Sequence, residues 1–170
     1  MFMSVIRRSM ASLGSYQTLA VSRPADFVVH VELNRPDKRN AVNGEMLKDL
    51  KNCMESLNQD EDCRAIVLSG KGKAFCAGID LADLMKMGQV TMDPEKDVAR
   101  KALQILPFIK NFQNSISSLE KCRKPVIAAI HGPCIGAGIN LASAADVRYS
   151  SIDAFYNIKV EADVGIGDLI

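Results

Sequence analysis

KPVIAAIHGPCIGAGINLASAADVRY, residues 124–149, is typical of a buried strand, a glycine-rich turn, a short helix and the start of another strand. The apolar run Val126–Ile130 predicts the first strand. Gly132, Gly136 and Gly138 then allow the backbone to turn sharply and to approach a ligand closely. We expect the helix to begin near Gly136, so that its unpaired first amides can hold an anion or a developing oxyanion.

A second stretch, AIVLSGKGKAFCAGIDL at residues 65–81, repeats this plan. The apolar strand Ala65–Ser69 leads into a glycine loop, and the small residues Ala77-Gly78 open a helix at Ile79-Asp80. One such stretch alone is equally well explained as a tight crossover in an α/β core. Two of them could each supply one backbone N–H group to a single oxygen.

Composition favours one soluble globular domain. The chain has 170 residues, of which 48% are hydrophobic and 24% charged. A net charge of +1 favours neither a nucleic-acid partner nor a membrane surface, and no apolar run is long enough to span a bilayer. The cysteines show no CxxC spacing, which argues against a zinc site or a disulfide framework; they are Cys53, Cys63, Cys76, Cys122 and Cys134.

Residues 1–24 have the composition of a mitochondrial transit peptide. They contain Arg7, Arg8 and Arg23, five serines and no acidic residue. The alternative is a disordered N-terminus without a targeting role. We therefore expect the folded domain to occupy residues 25–170.

Two elements precede the second glycine stretch. Residues Phe27–Leu33 alternate, with Phe27, Val29, Val31 and Leu33 on one face, and predict a strand that buries this face. Asn43 is predicted to cap a helix over Glu45–Gln59, whose apolar residues recur at helical spacing. The other expected elements are a turn at 34–40, a helix at Asp80–Met87, a flexible connection at 88–94, a helix from Val98 to Leu119 kinked at Pro107, and a strand at Ala154–Val160.

Several familiar sites are excluded. The sequence has no P-loop and no GxSxG elbow, and Leu141 stands where a dinucleotide-binding fingerprint needs its third glycine. His131 and Cys134 are close enough to suggest a Cys/His nucleophile, but nothing nearby would orient the imidazole. The thiol is better explained as a small buried hydrophobe. Glu161, Asp163 and Asp168 are candidates for acid–base chemistry or, alternatively, part of a solvated chain end.

Four stretches of the sequence carry a family resemblance: LNRPDKRNAV at 33–42, SGKGKAFCAGIDL at 69–81, KPVIAAIHGPCIGAGINL at 124–141 and DVRYSSIDAFYNIKVEADVG at 146–165. By these stretches the chain resembles the crotonase (enoyl-CoA hydratase/isomerase) superfamily, and within it the Δ(3,5)-Δ(2,4)-dienoyl-CoA isomerases. This resemblance implies an α/β fold, a crotonase-like spiral of repeated ββα units, usually trimeric. Family members continue further, so we expect the N-terminal part of such a domain, incomplete at the C-terminus.

The resemblance implies isomerisation of a 3,5-dienoyl-CoA to a 2,4-dienoyl-CoA through a dienolate in fatty-acid β-oxidation, without a metal or redox cofactor. The expected partners are the acyl-CoA substrate and further copies of the chain, and the expected location is mitochondrial, with the peroxisome as an alternative. By the same resemblance Ala77 and either Ala137 or Gly138 form the oxyanion hole, and Glu161 and Asp168 are the base and its partner acid. The implied substrate-binding residues are Ala77, Gly78, Ile79, Asp80, Leu81 and Gly138, and those near CoA are Lys38, Arg39, Asn40 and Ala41.

Asn140 departs from the family pattern at a catalytic position. The isomerases have an aspartate there and the hydratases a glutamate, whereas an amide cannot take up a proton. Glu161 also matches the family glutamate only with a one-residue insertion after Lys159. Two alternatives therefore stay open: an enoyl-CoA hydratase or Δ3-Δ2-enoyl-CoA isomerase, and an inactive chain that binds acyl-CoA or associates with full-length subunits.

Overall fold

The computed structural model describes residues 14–158. The strands are β1 Leu19–Ala25, β2 Val28–Leu33, β3 Ala65–Gly70, β4 Val126–Ile130, β5 Pro133–Ile135, β6 Val147–Ser150 and β7 Phe155–Asn157. The helices are α1 Gly44–Gln59, α2 Leu81–Met92, α3 Val98–Glu120 and α4 Ala137–Ala144, with a 3-10 turn at Pro36–Lys38.

The larger sheet has the order β1-β2-β3-β4-β6. Strand β1 is antiparallel to β2, and the other neighbours are parallel. One face of the sheet is buried against α1 and α3. Apolar residues at every second strand position form this buried face, as the alternation of β2 predicts, and Val29, Val31 and Leu33 are fully buried.

A second, smaller layer connects successive parts of the chain. Strands β5 and β7 are parallel, Cys76 pairs with Cys134 of β5, and Val42 pairs with Ile79. The order strand, second-layer segment, helix therefore recurs in β3, residues 76–79 and α2, and again in β4, β5 and α4. This arrangement confirms the expected repetition of ββα units, although β5 itself was not predicted.

Helix α1 agrees closely with its prediction. The Asn43 side chain accepts a hydrogen bond from the Met46 amide at 3.0 Å, as an N-cap does. The apolar stripe faces the core, and its buried members are Met46, Leu47, Leu50, Cys53, Met54 and Leu57.

Strand β1 was not predicted, because its residues were grouped with the leader. It forms a hairpin with β2 in which Ala25 pairs with Val28. Phe27 therefore lies in the turn, with φ of 64°, and not on the buried strand face as expected. Its half-buried ring packs under the guanidinium of Arg64 at 3.8 Å.

A buried carboxylate fastens the start of β1 to α1. Oδ2 of Asp49 accepts hydrogen bonds from the Gln17 amide at 3.0 Å and from the Thr18 amide and hydroxyl at 2.9 and 2.8 Å. Three donors on one oxygen offset the cost of burying the charge. The ordered domain thus begins before residue 25.

The two middle helices differ in part from expectation. Helix α2 continues through Gly88 to Met92, so the connection begins later than predicted, at Asp93. Helix α3 contains Pro107, as predicted. Within residues 14–158 no helix combines the length and the apolar character needed to cross a membrane.

Candidate functional site

The two glycine-rich stretches meet in the second layer. The Cys76 amide donates to the Pro133 carbonyl at 3.1 Å, and the Ile135 amide donates to the Cys76 carbonyl at 2.9 Å. A Cβ atom added to Gly136 would lie 3.8 Å from the Cα atom of Gly78. The turns that precede α2 and α4 are therefore neighbours, which is the arrangement that two donors for one oxygen require.

Both turns depend on glycine. Gly78 has φ of 104° and Gly136 has φ of 49°, a region in which a side chain is strained. Gly138 is limited by space instead, because an added Cβ would lie 2.9 Å from both Cβ and the carbonyl oxygen of Cys76. Helix α4 thus begins in contact with the strand that leads into the other turn.

The amide of Ala77 is already used. It donates to the Arg39 carbonyl at 2.9 Å, so it cannot also hold a substrate oxygen as expected. We expected the first small residue of the turn to be the donor. Its amide is occupied because a carbonyl from a loop distant in sequence reaches it.

Two more amides follow in this turn. That of Gly78 is directed to Sγ of Cys76 at 3.5 Å, and that of Ile79 is oriented differently. The Val42 amide donates to the Gly78 carbonyl at 2.8 Å, and the Asp80 amide donates to the Val42 carbonyl at 2.8 Å. In a trans peptide the N–H group points away from the C=O group, so the Ile79 N–H points away from Val42. Among the described residues it has no hydrogen-bond partner.

On the side of the second turn, the candidate amides belong to the start of helix α4. Ala137 is its first residue and is buried, and its amide has no partner within the helix. The Ile139 and Asn140 amides are directed to the Gly136 carbonyl at 2.9 and 3.4 Å. The expected donors Ala137 and Gly138 therefore remain the candidates on this side.

Of the three expected catalytic residues, the described part of the chain contains Asn140 alone. Asn140 is exposed on α4, three residues beyond Ala137 and hence on the same side of the helix. Glu161 and Asp168 lie outside the described residues.

The substrate-binding range Ala77–Leu81 contains one side chain with a structural role. Asp80 caps α2 by accepting from the Ala82 amide at 3.0 Å, and it pairs with Arg35 at 2.8 Å. These two contacts, the amide first, lower the pKa of the Asp80 carboxyl below its usual value. The Asp80 carboxylate is thus held by partners within the protein, while Leu81 is largely exposed. The expected contact of this range with the acyl group stays a prediction.

The expected CoA loop is held by Asn40. Its side chain accepts from the Arg35 amide at 2.9 Å and donates to the Lys71 and Ala74 carbonyls at 2.9 and 2.8 Å. Asn40 is fully buried, so it shapes the loop and is not available to CoA as expected. Lys38 and Arg39 are exposed, and Ala41 is half-buried.

The alternative Cys/His nucleophile is contradicted. Nε2 of His131 is hydrogen-bonded to the Gly72 carbonyl at 2.8 Å and not to the thiol. Burial raises the pKa of Cys134 to about 11, so the thiol stays protonated near neutral pH.

Comparisons with known proteins show which family the chain is similar to. Residues 24–168 match the family "Enoyl-CoA hydratase/isomerase". The chain is 46% identical over 152 residues to the mitochondrial Delta(3,5)-Delta(2,4)-dienoyl-CoA isomerase of Rattus norvegicus, covering 89% of this chain and 46% of that protein. It is 42% identical over 157 residues to the peroxisomal enzyme of that name from Arabidopsis thaliana, covering 91% of this chain and 56% of that protein.

Solved structures show the same fold. An enoyl-CoA hydratase from Shewanella pealeana superposes with a TM-score of 0.72 at 26% identity, covering 84% of this chain and 49% of that chain. An enoyl-CoA hydratase/isomerase from Xanthobacter autotrophicus superposes with a TM-score of 0.70 at 28% identity, covering 84% of this chain and 49% of that chain. The chain spans about half the length of the relatives it matches. Sequence, repeated units and matched residues together show that it belongs to the enoyl-CoA hydratase/isomerase family.

Proposed function

We propose that this chain serves the isomerisation of a 3,5-dienoyl-CoA to a 2,4-dienoyl-CoA in fatty-acid β-oxidation. The observation that carries the proposal is the contact between the turns at Gly78 and Gly136. Each turn offers an amide, at Ile79 and at Ala137, that has no hydrogen-bond partner among residues 14–158. The similarity to dienoyl-CoA isomerases selects this reaction among those that pass through an enolate.

The proposed reaction moves one proton and two double bonds. A base removes a proton from C2, and the electron pair left there delocalises onto the thioester oxygen on one side and along the diene to C6 on the other. Reprotonation at C6 then returns the electrons and leaves the double bonds at C2 and C4. The amides of Ile79 and Ala137 hold the negative oxygen of the dienolate, and Gly138 is the alternative donor in α4.

Acid–base chemistry is proposed for the chain beyond β7. Glu161 is our candidate base and Asp168 its candidate partner acid, since carboxylates in apolar surroundings can exchange protons near neutral pH. The charge that develops is on oxygen and is held by amides. We therefore propose chemistry that needs neither a resident metal nor a redox cofactor.

Asn140 favours isomerisation over hydration and supports a second candidate function. Its carboxamide can donate a hydrogen bond but cannot activate a water molecule by taking its proton. The second candidate is an acyl-CoA-binding chain without turnover, which associates with complete subunits. The two candidates differ in product formation and agree in ligand binding.

We also propose the cellular setting from the relatives. The rat relative is named mitochondrial and the Arabidopsis relative peroxisomal, so a mitochondrial location comes first and a peroxisomal one second. Association of several copies is proposed as the working form, and acyl-CoA as the small-molecule partner.

The test uses the 170-residue chain with a 3,5-dienoyl-CoA. A ligand that binds only the native state raises the thermal midpoint, and product analysis by mass-coupled chromatography reports turnover. We expect both a rise and conversion to the 2,4-isomer. A rise without conversion supports the binding function instead, and no rise contradicts both.

Two matched variants test the role of the Ile79 amide. Ile79→Pro removes the unpartnered N–H, whereas Ile79→Val keeps it and changes only the side chain. We expect Ile79→Pro to lower kcat by about 10²- to 10³-fold, as for the loss of one oxyanion donor, and Ile79→Val to have little effect. Equal rates for the two variants would contradict the role of this amide.

A further inference from the structure

Arg35 lies at one end of a row of hydrogen bonds that ends at the proposed oxyanion donor. It follows β2, and its side chain is 18% exposed. Nη1 donates to the Ala41 carbonyl at 2.5 Å. The amide of the same peptide group, that of Val42, donates to the Gly78 carbonyl at 2.8 Å. The peptide group of Gly78 in turn carries the N–H of Ile79.

Both peptide groups in this row point the same way. In a trans peptide the C=O and N–H bonds are antiparallel, so each group accepts on one side and donates on the other. The dipoles of the groups joining Ala41 to Val42 and Gly78 to Ile79 are therefore aligned, with the guanidinium charge of Arg35 behind them. Hydrogen bonds in such a chain polarise one another, by about 10–30% per bond.

The guanidinium itself is firmly placed. The Arg35 amide donates to the Asn40 side chain at 2.9 Å, and the Asn40 and Lys38 amides donate back to the Arg35 carbonyl at 2.9 and 3.0 Å. Nη2 donates to Asp80 at 2.8 Å, directly after Ile79 in the chain. Val42 and Ile79 form a bridge between two segments, and Arg35 contacts both of them. It contacts one segment just before Val42 and the other just after Ile79.

We propose that Arg35 is a positioning residue that orients and polarises the Ile79 N–H through the peptide groups of Val42 and Ile79. The proposal rests on the proposed function, in which this N–H holds the thioester oxygen. Its effect is confined to ligands that carry this oxygen. If Arg35 served only the stability of the fold, its replacement would weaken the binding of all ligands alike.

The experiment compares a saturated acyl-CoA thioester with the S-alkyl-CoA thioether of equal length, which lacks the carbonyl, by titration calorimetry. Arg35→Met keeps the length of the side chain and removes the charge. Arg23→Met is the matched control, since Arg23 likewise donates to a carbonyl, that of Asp62 at 2.6 Å, and pairs with a carboxylate, that of Asp60, away from the site. Arg35→Lys keeps the charge and one donor.

We expect the wild type and Arg23→Met to prefer the thioester equally, Arg35→Met to lose about three- to tenfold of that preference, and Arg35→Lys to recover part of it. An unchanged preference in Arg35→Met overturns the inference and leaves the proposed function standing. No preference in the wild type overturns the proposed function, and the inference with it.

Amide hydrogen exchange supplies a readout without ligand. We expect the Val42 amide to exchange faster in Arg35→Met than in Arg23→Met, because its peptide group loses the guanidinium contact. Equal exchange at Val42 in the two variants overturns the inference as well. If Arg35→Met does not fold, Arg35→Lys is compared with Arg23→Lys in the same way.

Discussion

The α-carbon of Gly138 faces Cys76 so closely that a methyl group on it would lie 2.9 Å from both Cβ and the carbonyl oxygen of Cys76. The two residues belong to the two stretches that enter the proposed oxyanion site. Their contact sets how near the turns can come, and it leaves no space for any side chain at position 138.

Gly138→Ala is expected to destabilise the fold by about 1–3 kcal/mol, as overpacking of a tight contact does. Urea unfolding followed by circular dichroism measures this change. Gly88→Ala in α2 is the control, because a Cβ there meets nothing within 4 Å. It should stabilise by about 0.5–1 kcal/mol through helix propensity. Equal shifts for the two variants would show that space at Gly138 does not matter.

Asn40→Ala should be among the most damaging changes in the loop before α1. It removes three hydrogen bonds of a fully buried side chain, at a position with φ of 56°. We expect a loss of about 2–4 kcal/mol in the free energy of unfolding.

Asn40→Gly separates the two causes in the same unfolding measurement. It relieves the backbone conformation and loses the same bonds, so it should recover only a minor part of the stability. Full recovery would mean that the backbone conformation, and not the hydrogen bonds, dominates.

The buried thiols should resist alkylation in the folded protein. Burial raises the pKa of Cys53 and of Cys76 to about 12 and that of Cys134 to about 11, so few thiolates exist at pH 8. Cys122 is half-buried. With iodoacetamide and peptide mass mapping, Cys122 is expected to react first, and early labelling of Cys76 would contradict the packing around Gly138.

The same thiols predict how stability depends on alkaline pH. Their pKa is higher in the folded state than the ordinary value of 9.0, so only the unfolded chain releases these protons above about pH 9. The stabilisation is complete below pH 9 and is lost as pH rises toward 12. Cys76→Ala and Cys134→Ala should each flatten the decline in thermal midpoint between pH 8 and about pH 10. An unaltered slope in both would show that these thiols are not responsible.

Asp80 predicts the opposite dependence. Its pKa is lowered in the fold, by the Ala82 amide and then by Arg35, so its stabilisation is present above the ordinary value of 3.8 and is lost as pH falls below it. Asp80→Asn keeps a helix-capping side chain but cannot ionise. We expect its thermal midpoint to fall less steeply than that of the wild type between pH 5 and about pH 3.

The glycines explain why much of the site could be predicted. Gly78, Gly136 and Gly138 stand in two similar stretches, and similar stretches in a repeated fold occupy equivalent places. Which amide is free could not be predicted, because the Ala77 amide is occupied by Arg39, 38 residues earlier in the chain. Such a partner is set by tertiary contact and leaves no periodic pattern.

The errors in the fold have a similar origin. The hairpin of β1 and β2 escaped prediction because Arg- and Ser-rich composition masks the short strand Leu19–Ala25. Gly88 was expected to end a helix, yet it has open space around it and its neighbours have good helix propensity, so α2 continues. Local composition therefore predicts the bounds of a helix or strand poorly at positions where the element accepts many residue types.

The attachment of Gln17 and Thr18 to Asp49 limits where a protease could cut without disturbing the fold. A cut after Thr18 would remove all three donors from the buried Asp49 carboxylate and leave its burial without the hydrogen bonds that offset the cost, although β1 would stay paired with β2. We therefore propose that a protease that removes the expected leader cuts before Gln17.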